Sequence, residues 1–363
     1  MPSPKILVLY NQPILPADHP DAESEHSVVD VAEDVGDILR DAGFRVSLLG
    51  LKEDPVHLVN EIRRLKPAAV FNLHEGSIHD GETETYVACI LEWLQVPFTG
   101  SPARTLSLAH AKHLTKRFLI GAGMPTPDFF VVERLPLPRR TSDWPVIVKP
   151  AAQDASVGLD QGSVVIDQRQ LEDRVVYLFK TYGPPVMVEQ FIRGREMNVA
   201  LIETPTFRIL PISEVLFVDK DPAFWPIVTY DAKWRPGSRD YEATPPRYPA
   251  EVSPKLTQRL SALACQAFRL LGCRDYARVD FRVRPSGKPY ILEVNPNPDF
   301  SPTAGLAGGL VSAGITHAQF AVDLVRTALA RSKKPIAVRA KKKVEACLGT
   351  PPANNRTAIQ KIG

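Results

Sequence analysis

Residues Arg278 to Asn297 read Arg-Val-Asp-Phe-Arg-Val-Arg-Pro-Ser-Gly-Lys-Pro-Tyr-Ile-Leu-Glu-Val-Asn-Pro-Asn, two runs of alternating character on either side of a Pro285-Ser286-Gly287 turn. This is a β-hairpin signal, and side chains two apart on a strand share a face. Arg278 and Asp280 therefore point one way on the first strand, and Glu293 and Asn295 one way on the second. Val279, Phe281, Leu292 and Val294 form the opposite, apolar face. Two carboxylates and an amide oxygen on one face are hard ligands suited to Mg2+ held jointly with phosphates. An amphipathic hairpin turning its charges to water satisfies the same alternation. Pro296 and Pro298 shift the balance toward ligation, because they end strand pairing directly beside the candidate ligands.

Upstream, Ile6-Leu7-Val8-Leu9-Tyr10 is a short apolar run of the kind found in buried parallel strands. Val28, Val31, Val35, Ile38 and Leu39 recur at helical spacing, and Gly43 stands where a helix-ending glycine belongs. A strand at 45–51, a helix around 56–65 and a strand at 68–73 continue a β-α-β-α-β order, the start of a doubly wound sheet, which 96–101 closes as a further strand. No Gly-x-Gly-x-x-Gly or Walker A sequence accompanies it, so any nucleotide must be held by other means. His74 and His79 are spaced wrongly for the helical zinc motif and their glycine neighbours indicate a loop. A helix from Thr105 carries Lys112 toward the Gly121 to Pro127 boundary, and Lys149 ends the apolar strand Val146-Ile147-Val148, where a cation is costly without an anionic partner. Residues 219–249 are irregular and too long for a passive connection, which marks a lid or binding loop. A helix over 254–271 and a last helix over about 316–330 complete the elements.

At 363 residues the chain can hold two or three subdomains. From Arg331 onward nine Lys/Arg face one acid, Glu345, so the tail carries +8 and residues 1–330 carry −5 of the overall +3. The acidic body argues against a nucleic-acid surface, and the basic stretch from 332 on is expected to be disordered, without a catalytic role. Four scattered cysteines suggest neither a zinc site nor a disulfide framework and point to a reducing cytoplasm. No apolar run is long enough to span a bilayer, and five apolar residues after Lys5 are too few for a signal-peptide core.

Arg278-x-Asp280 followed by Glu293-x-Asn295-Pro296-x-Pro298 resembles the magnesium hairpin of ATP-grasp enzymes, most closely the D-alanine D-alanine ligase branch, which Leu271 to Tyr276 also fits. The resemblance runs in family order over about residues 5–330. It implies an α/β and α+β ATP-grasp fold: a Rossmann-like unit with a doubly wound parallel sheet (1–104), a central α+β lobe (105–190) and a C-terminal α+β lobe with an antiparallel sheet (191–331). The implied cofactors are ATP and Mg2+, two ions that Mn2+ can replace. Asp280, Glu293 and Asn295 match the metal ligands, and Lys112, Lys149 and Lys233 the phosphate lysines. Ser156 lies in the matching small-residue phosphate loop. The strand 186–192 matches the adenine segment through Glu189 and Ile192, and Glu196 the ribose acid. Arg278 matches the oxyanion-stabilising arginine.

Glu23 and His74 resemble the residues that hold the first amino acid, although a helix N-terminal acid and a turn-capping histidine are alternative readings of each. The implied partners are small amino-acid or amine substrates, with no nucleic acid, no membrane and a possible homodimer. The chain also departs from the family. Its loop-serine position reads Ala155, its loop-tyrosine position Trp234, and the glycine turn after the asparagine carries Asp299. These departures lead to the expectation of a ligase with an altered acceptor. A true D-alanine D-alanine ligase and a non-ligating ATP-binding regulator are the alternatives.

Overall fold

The computed structural model describes residues 3–16, 22–52, 54–77, 80–137, 139, 144–151 and 156–332, with the backbone alone at 22–25 and 332. The basic tail and Ala155 lie outside the described residues.

The first unit comprises β1 (Lys5–Asn11), α1 (Ala22–Asp41), β2 (Arg45–Leu51), α2 (Pro55–Leu65), β3 (Ala69–Leu73) and α3 (Thr83–Trp93), with a parallel sheet of order β2-β1-β3. Ile6, Leu7, Val8 and Leu9 of β1 are all fully buried because helices cover both faces. Ile6 and Val8 pack on Val31, Val35 and Leu39 of α1, and Leu7 and Leu9 on Leu58 and Ile62 of α2. Each such side chain contributes about 1.5–3 kcal/mol by leaving water. The strand expected at 96–101 is a single parallel bridge, Val70 to Phe98. Pro97 has no N–H to donate, so the pairing reduces to Val70 N–H on the Pro97 carbonyl and Thr99 N–H on the Val70 carbonyl. Gly100 then turns away at φ 88°.

The single helix expected from Thr105 is two, α4 (Ala103–His110) and α5 (Lys112–Gly121). Ala111, at φ −78° and ψ 75°, breaks the ladder between them, so Lys112 begins a helix instead of sitting inside one. The central lobe has β4 (Phe129–Val132), β5 (Val146–Pro150), β6 (Val164–Val165), α6 (Gln168–Tyr182) and β7 (Val186–Gln190), in an antiparallel sheet of order β4-β7-β5-β6.

The C-terminal lobe follows with β8 (Arg195–Ile202), β9 (Arg208–Ile209), β10 (Ser213–Val215), α7 (Tyr230–Trp234), α8 (Arg239–Glu242), β11 (Pro246–Arg247), α9 (Pro254–Leu271), β12 (Tyr276–Val283), β13 (Pro289–Asn295), α10 (Gly305–Ser312) and α11 (His317–Ser332). Its antiparallel sheet has order β11-β10-β8-β12-β13, with β9 on β8. Helix α9 runs as its periodicity predicts: Ser253 caps it, Pro254 sits at N1, and Gly272 ends it at φ 71°. Helices α3, α6 and α10 have no counterpart in the sequence reading, and the short helices α7 and α8 form within 219–249, a stretch expected to be irregular.

The opening hairpin forms with one correction. A β-bulge lies between Asp280 and Phe281, so Asp280 pairs with Glu293 but Phe281 with Ile291. The extra residue moves Leu292 out of the apolar face, and Ile291 joins Val279, Phe281 and Val294 in the core on α9. Another core spans both ends of the chain: β1, β3 and α1 pack with Tyr276, Phe300, Leu306 and Phe320. Arg331 of α11 seals this junction. It grips the buried Asp275 carboxylate with two hydrogen bonds, of 2.5 and 2.9 Å, and donates to the Phe98 carbonyl at 2.6 Å. No helix of the described residues is long and apolar enough to cross a membrane.

Candidate active site

Strand alternation aims the central lobe's polar residues at the cleft. Val146 and Val148 pack with Leu171 and Val175 of α6, which leaves Ile147 and Lys149 on the other face of β5. Glu189 of β7 is the register partner of Ile147, and Lys149 Nζ stands 3.1 Å from its Oε2. A residue the sequence reading missed completes this cluster. Lys116, one turn beyond Lys112 on α5, lies 3.2 Å from Glu189 Oε1, with both side chains only 1% exposed. It also donates to Thr126 Oγ1 at 2.7 Å, and Thr126 donates in turn to the Ile291 carbonyl of β13 at 2.8 Å. Burial lowers the Lys116 pKa to about 8 against the pull of Glu189. The signal available in sequence was its i+4 spacing from Lys112, which reads equally as a solvated helical charge. Ile192 is buried just past the end of β7, where the Gln190 and Phe191 N–H groups are taken by the carbonyls of Asp128 and Pro145.

On the other lobe, the bulged hairpin sets Asp280 opposite Glu293, and Asn295 stands opposite Arg278. Arg278 holds Asp280 with two hydrogen bonds, 2.7 and 2.8 Å, while Asn198 of the neighbouring β8 donates to Asp280 Oδ1 at 2.7 Å. Burial alone would raise the Asp280 pKa, but Arg278 and Asn198 outweigh it and hold it below the usual carboxylate range. Asn198 was also missed; its signal was the two-residue step from Glu196 along β8. Lys112 Nζ comes within 3.9 Å of Glu293 Oε2 and so links the helix break to the hairpin. The Asn295 side-chain oxygen accepts the Asn297 N–H at 2.9 Å, which fixes its rotamer and leaves a second lone pair. Among the described residues no three His, Cys, Asp or Glu side chains form a metal cage. Two carboxylates and an amide oxygen fit a hard cation that takes its remaining ligands from phosphates and water.

Residues 219–249 fold over this face. Lys233 on α7 is open to the cleft, yet enough protein surrounds it that desolvation, and then the Arg278 charge, lower its pKa; Glu293, Asp280 and Glu196 oppose them. Ser156, at φ 64°, donates through Oγ to the Val228 carbonyl at 3.0 Å, and Tyr230 N–H donates to the Leu159 carbonyl at 3.0 Å. The small-residue loop and the lid are thus stitched together. Glu196 begins the inner face of β8 and pairs with Arg282, Nη2 to Oε2 at 2.9 Å. Burial raises the Glu196 pKa, Arg282 opposing and Asp280 adding to it.

The first-unit residues gather beside the lid. A cavity of about 40 Å³ is lined by Ser27, Leu73, Glu75, Trp234, Asp299 and Phe300, among others. Asp299 accepts Ser301 N–H at 2.8 Å and Ser301 Oγ at 3.0 Å. The Glu23 side chain lies outside the described residues, so the structure neither places it in this group nor removes it.

His74 is 2% exposed, accepts Gly76 N–H through Nδ1 at 3.3 Å, and has its pKa lowered by burial to about 4. It is therefore a neutral ring across the working range. Because its folded pKa lies below the unfolded value of 6.5, its contribution to stability is full above pH 6.5 and is lost as pH falls toward 4. Wild type should lose about 3 kcal/mol relative to His74→Gln between pH 7 and 4. Urea unfolding of both proteins across this range checks it, and parallel stability curves would contradict the burial argument.

Comparison with known proteins points in one direction. The family model described as D-ala D-ala ligase C-terminus matches residues 118–326. A D-alanine–D-alanine ligase of Chelativorans sp. is 32% identical, over 77% of this chain and 85% of that protein, and one from Desulforudis audaxviator is 30% identical over 81% and 90%. An uncharacterised protein of Sinorhizobium fredii is 33% identical over 68% of this chain and 70% of its own length. The crystal structure of D-alanine–D-alanine ligase from Bacillus anthracis complexed with ATP superposes with a TM-score of 0.72, at 19% identity, over 91% of this chain and 99% of that one. That likeness establishes the ATP-grasp fold.

Proposed function

The chain belongs to the D-ala D-ala ligase family, and from that premise we propose that it couples ATP hydrolysis to joining an amino-acid carboxylate with an amine other than D-alanine. A carboxylate resists a nucleophile because its own charge repels it. Transfer of the γ-phosphoryl group of ATP to a carboxylate oxygen gives an acyl phosphate and ADP, and the amine then displaces phosphate. Lys112, Lys149 and Lys233 place positive charge along the phosphates, with Ser156 and the lid above them. Glu189 and Ile192 form the adenine side and Glu196 the ribose side. Asp280, Glu293 and Asn295 would hold Mg2+, two ions that Mn2+ can replace, which neutralises charge developing on the transferred group. Arg278, fixed by Asp280, faces the oxyanion of the tetrahedral intermediate.

The observation that carries this reading is the juxtaposition of Asp280 and Glu293 at one register, with Lys112 from another lobe 3.9 Å from Glu293. The units 1–104, 105–190 and 191–331 are the proposed working parts, and the substrates are small molecules handled by a homodimer.

The altered acceptor rests on the cavity beside the lid. Glu75 and Asp299 line it together with Trp234, and among the described residues no basic side chain does. An incoming amine with a free carboxylate meets like charge there, whereas a cationic or carboxylate-free amine does not. A second reading has its own support: both Asp299 oxygens are engaged by Ser301, which makes Asp299 a turn cap and leaves D-alanine as the acceptor. ADP release measured with D-alanine alone and with panels of amino acids plus amines separates the two. The proposed reading expects some other pair to exceed D-alanine, and D-alanyl-D-alanine synthesis at a rate no other pair exceeds would sink it.

A further inference from the structure

Arg282 lies two residues beyond Asp280 on β12, on the same face as Arg278 and Asp280, and is only 3% exposed. An arginine this buried is costly unless its charge and donors are matched. Its partners come from several segments around the nucleotide side of the cleft. Nη2 stands 2.9 Å from Glu196 Oε2, and Glu196 is its cross-strand neighbour on β8. Nη1 donates to the Gly194 carbonyl at 3.0 Å, just before β8, and Nη2 also donates to the Pro226 carbonyl in the lid. Phe191, past the end of β7, and Phe217, past the end of β10, stack against the guanidinium at 5.5 and 4.7 Å.

A methionine or leucine between two phenylalanines would pack here without burying a charge, and such replacements of buried ion pairs are often neutral or stabilising. Stability alone does not call for Arg282. Its planar fork, however, can meet a carboxylate and two carbonyls while its flat faces stack on two rings, a combination that the tetrahedral ammonium of lysine does not match. The Arg282 contact on Oε2 fixes the plane in which the Glu196 carboxylate presents its oxygens.

We propose that Arg282 is a positioning residue for the nucleotide: it orients Glu196 toward the ribose hydroxyls and, through the Pro226 carbonyl, ties the lid to the same guanidinium. The inference rests on the ATP-dependent reading above. It makes ribose recognition and lid placement depend on one side chain.

The test measures Mg2+-dependent binding of ATP, 2′-deoxy-ATP and 3′-deoxy-ATP by calorimetry in wild type, Arg282→Met and Arg282→Lys, alongside ADP release and tryptic cutting within 219–249. Wild type should bind at least one deoxynucleotide about tenfold or more weakly than ATP, because a hydrogen bond to a charged acceptor is lost. Arg282→Met should bring the three affinities within about twofold of each other and speed lid cleavage in the presence of ATP, effects that a packing role alone would not produce. Arg282→Lys should recover less than half of the discrimination on a logarithmic scale, and it decides the matter if the methionine variant does not fold. Undiminished ribose discrimination in a folded variant, or none in wild type, overturns the inference while leaving the ligase reading standing. Wild type that binds no ATP overturns both.

Discussion

Glu293→Gln should cut ADP release by about 10³-fold or more at saturating ATP and Mg2+ while leaving the fold intact. The rate effect follows from the ligand's charge. Gln keeps the shape and one oxygen but removes the formal negative charge that would hold a divalent ion against the phosphates, and a metal-bound transition state would draw several kcal/mol from that arrangement. The fold should survive because Glu293 is 33% exposed and meets Lys112 only at 3.9 Å, an ion pair worth about 0–1 kcal/mol. Thermal unfolding should therefore fall within a degree or two of wild type, by the usual scaling of about 1 kcal/mol to a few degrees. A folded variant that kept near wild-type turnover would show that the hairpin does not hold the metal.

Arg331→Met should produce the largest loss of stability among the single changes considered. Asp275 is 1% exposed and sits at φ 66°, a conformation that Asp tolerates better than most residues. Its carboxylate takes the Gly100 N–H at 2.9 Å and both Arg331 donors. Removing the guanidinium strands a buried charge at the seam between β12 and the loop after Phe98, and leaves the Phe98 carbonyl with only its 3.2 Å hydrogen bond from Arg274. Breaking a buried pair from one side costs about 3–5 kcal/mol. For a chain of this length that corresponds to a fall of about 4–7 °C in Tm. The companion Arg331→Met/Asp275→Asn protein should recover part of the loss, since the uncompensated charge is gone. Calorimetry of the two variants checks both statements, and a single variant within about 1 °C of wild type would refute the seal.

Much of this was legible in the sequence, for reasons that can be stated residue by residue. The β1 run, the α9 periodicity with its Ser253 and Gly272 ends, and the Pro285-Ser286-Gly287 turn were readable because each is fixed by local pattern and capping chemistry. Arg278, Asp280 and Glu293 were readable because strand alternation places them on one face before any tertiary contact is known. The bulge at Asp280/Phe281 was not, since one extra residue leaves the composition of β13 unchanged and shifts only its register. The break at Ala111 was not either, because alanine is a good helix former and the interruption belongs to tertiary packing. Lys116, Asn198 and Arg282 were missed for a common reason. A buried Lys, Asn or Arg looks like a solvated one until its partner from another segment is seen.

The lacing between the lobes has a kinematic consequence. Ile291 N–H donates to the Pro125 carbonyl at 2.8 Å, and the Ile291 carbonyl receives Thr126 Oγ1 at 2.8 Å. These bonds pin the entry of the central sheet to the strand that carries Glu293. A rigid lobe that turns against another moves least at its fulcrum and most at its far rim. Lys116, bonded directly to Thr126, sits at that fulcrum together with Glu189, so the base of the nucleotide cleft keeps its shape as the halves turn. The 156–159 loop rides the rim on the central lobe, and its two stitches to the lid, at Val228 and Tyr230, are the contacts that such a turn would sever first. In this molecule the cleft should open like a jaw, its hinge end already set before the nucleotide arrives and its lip closing last.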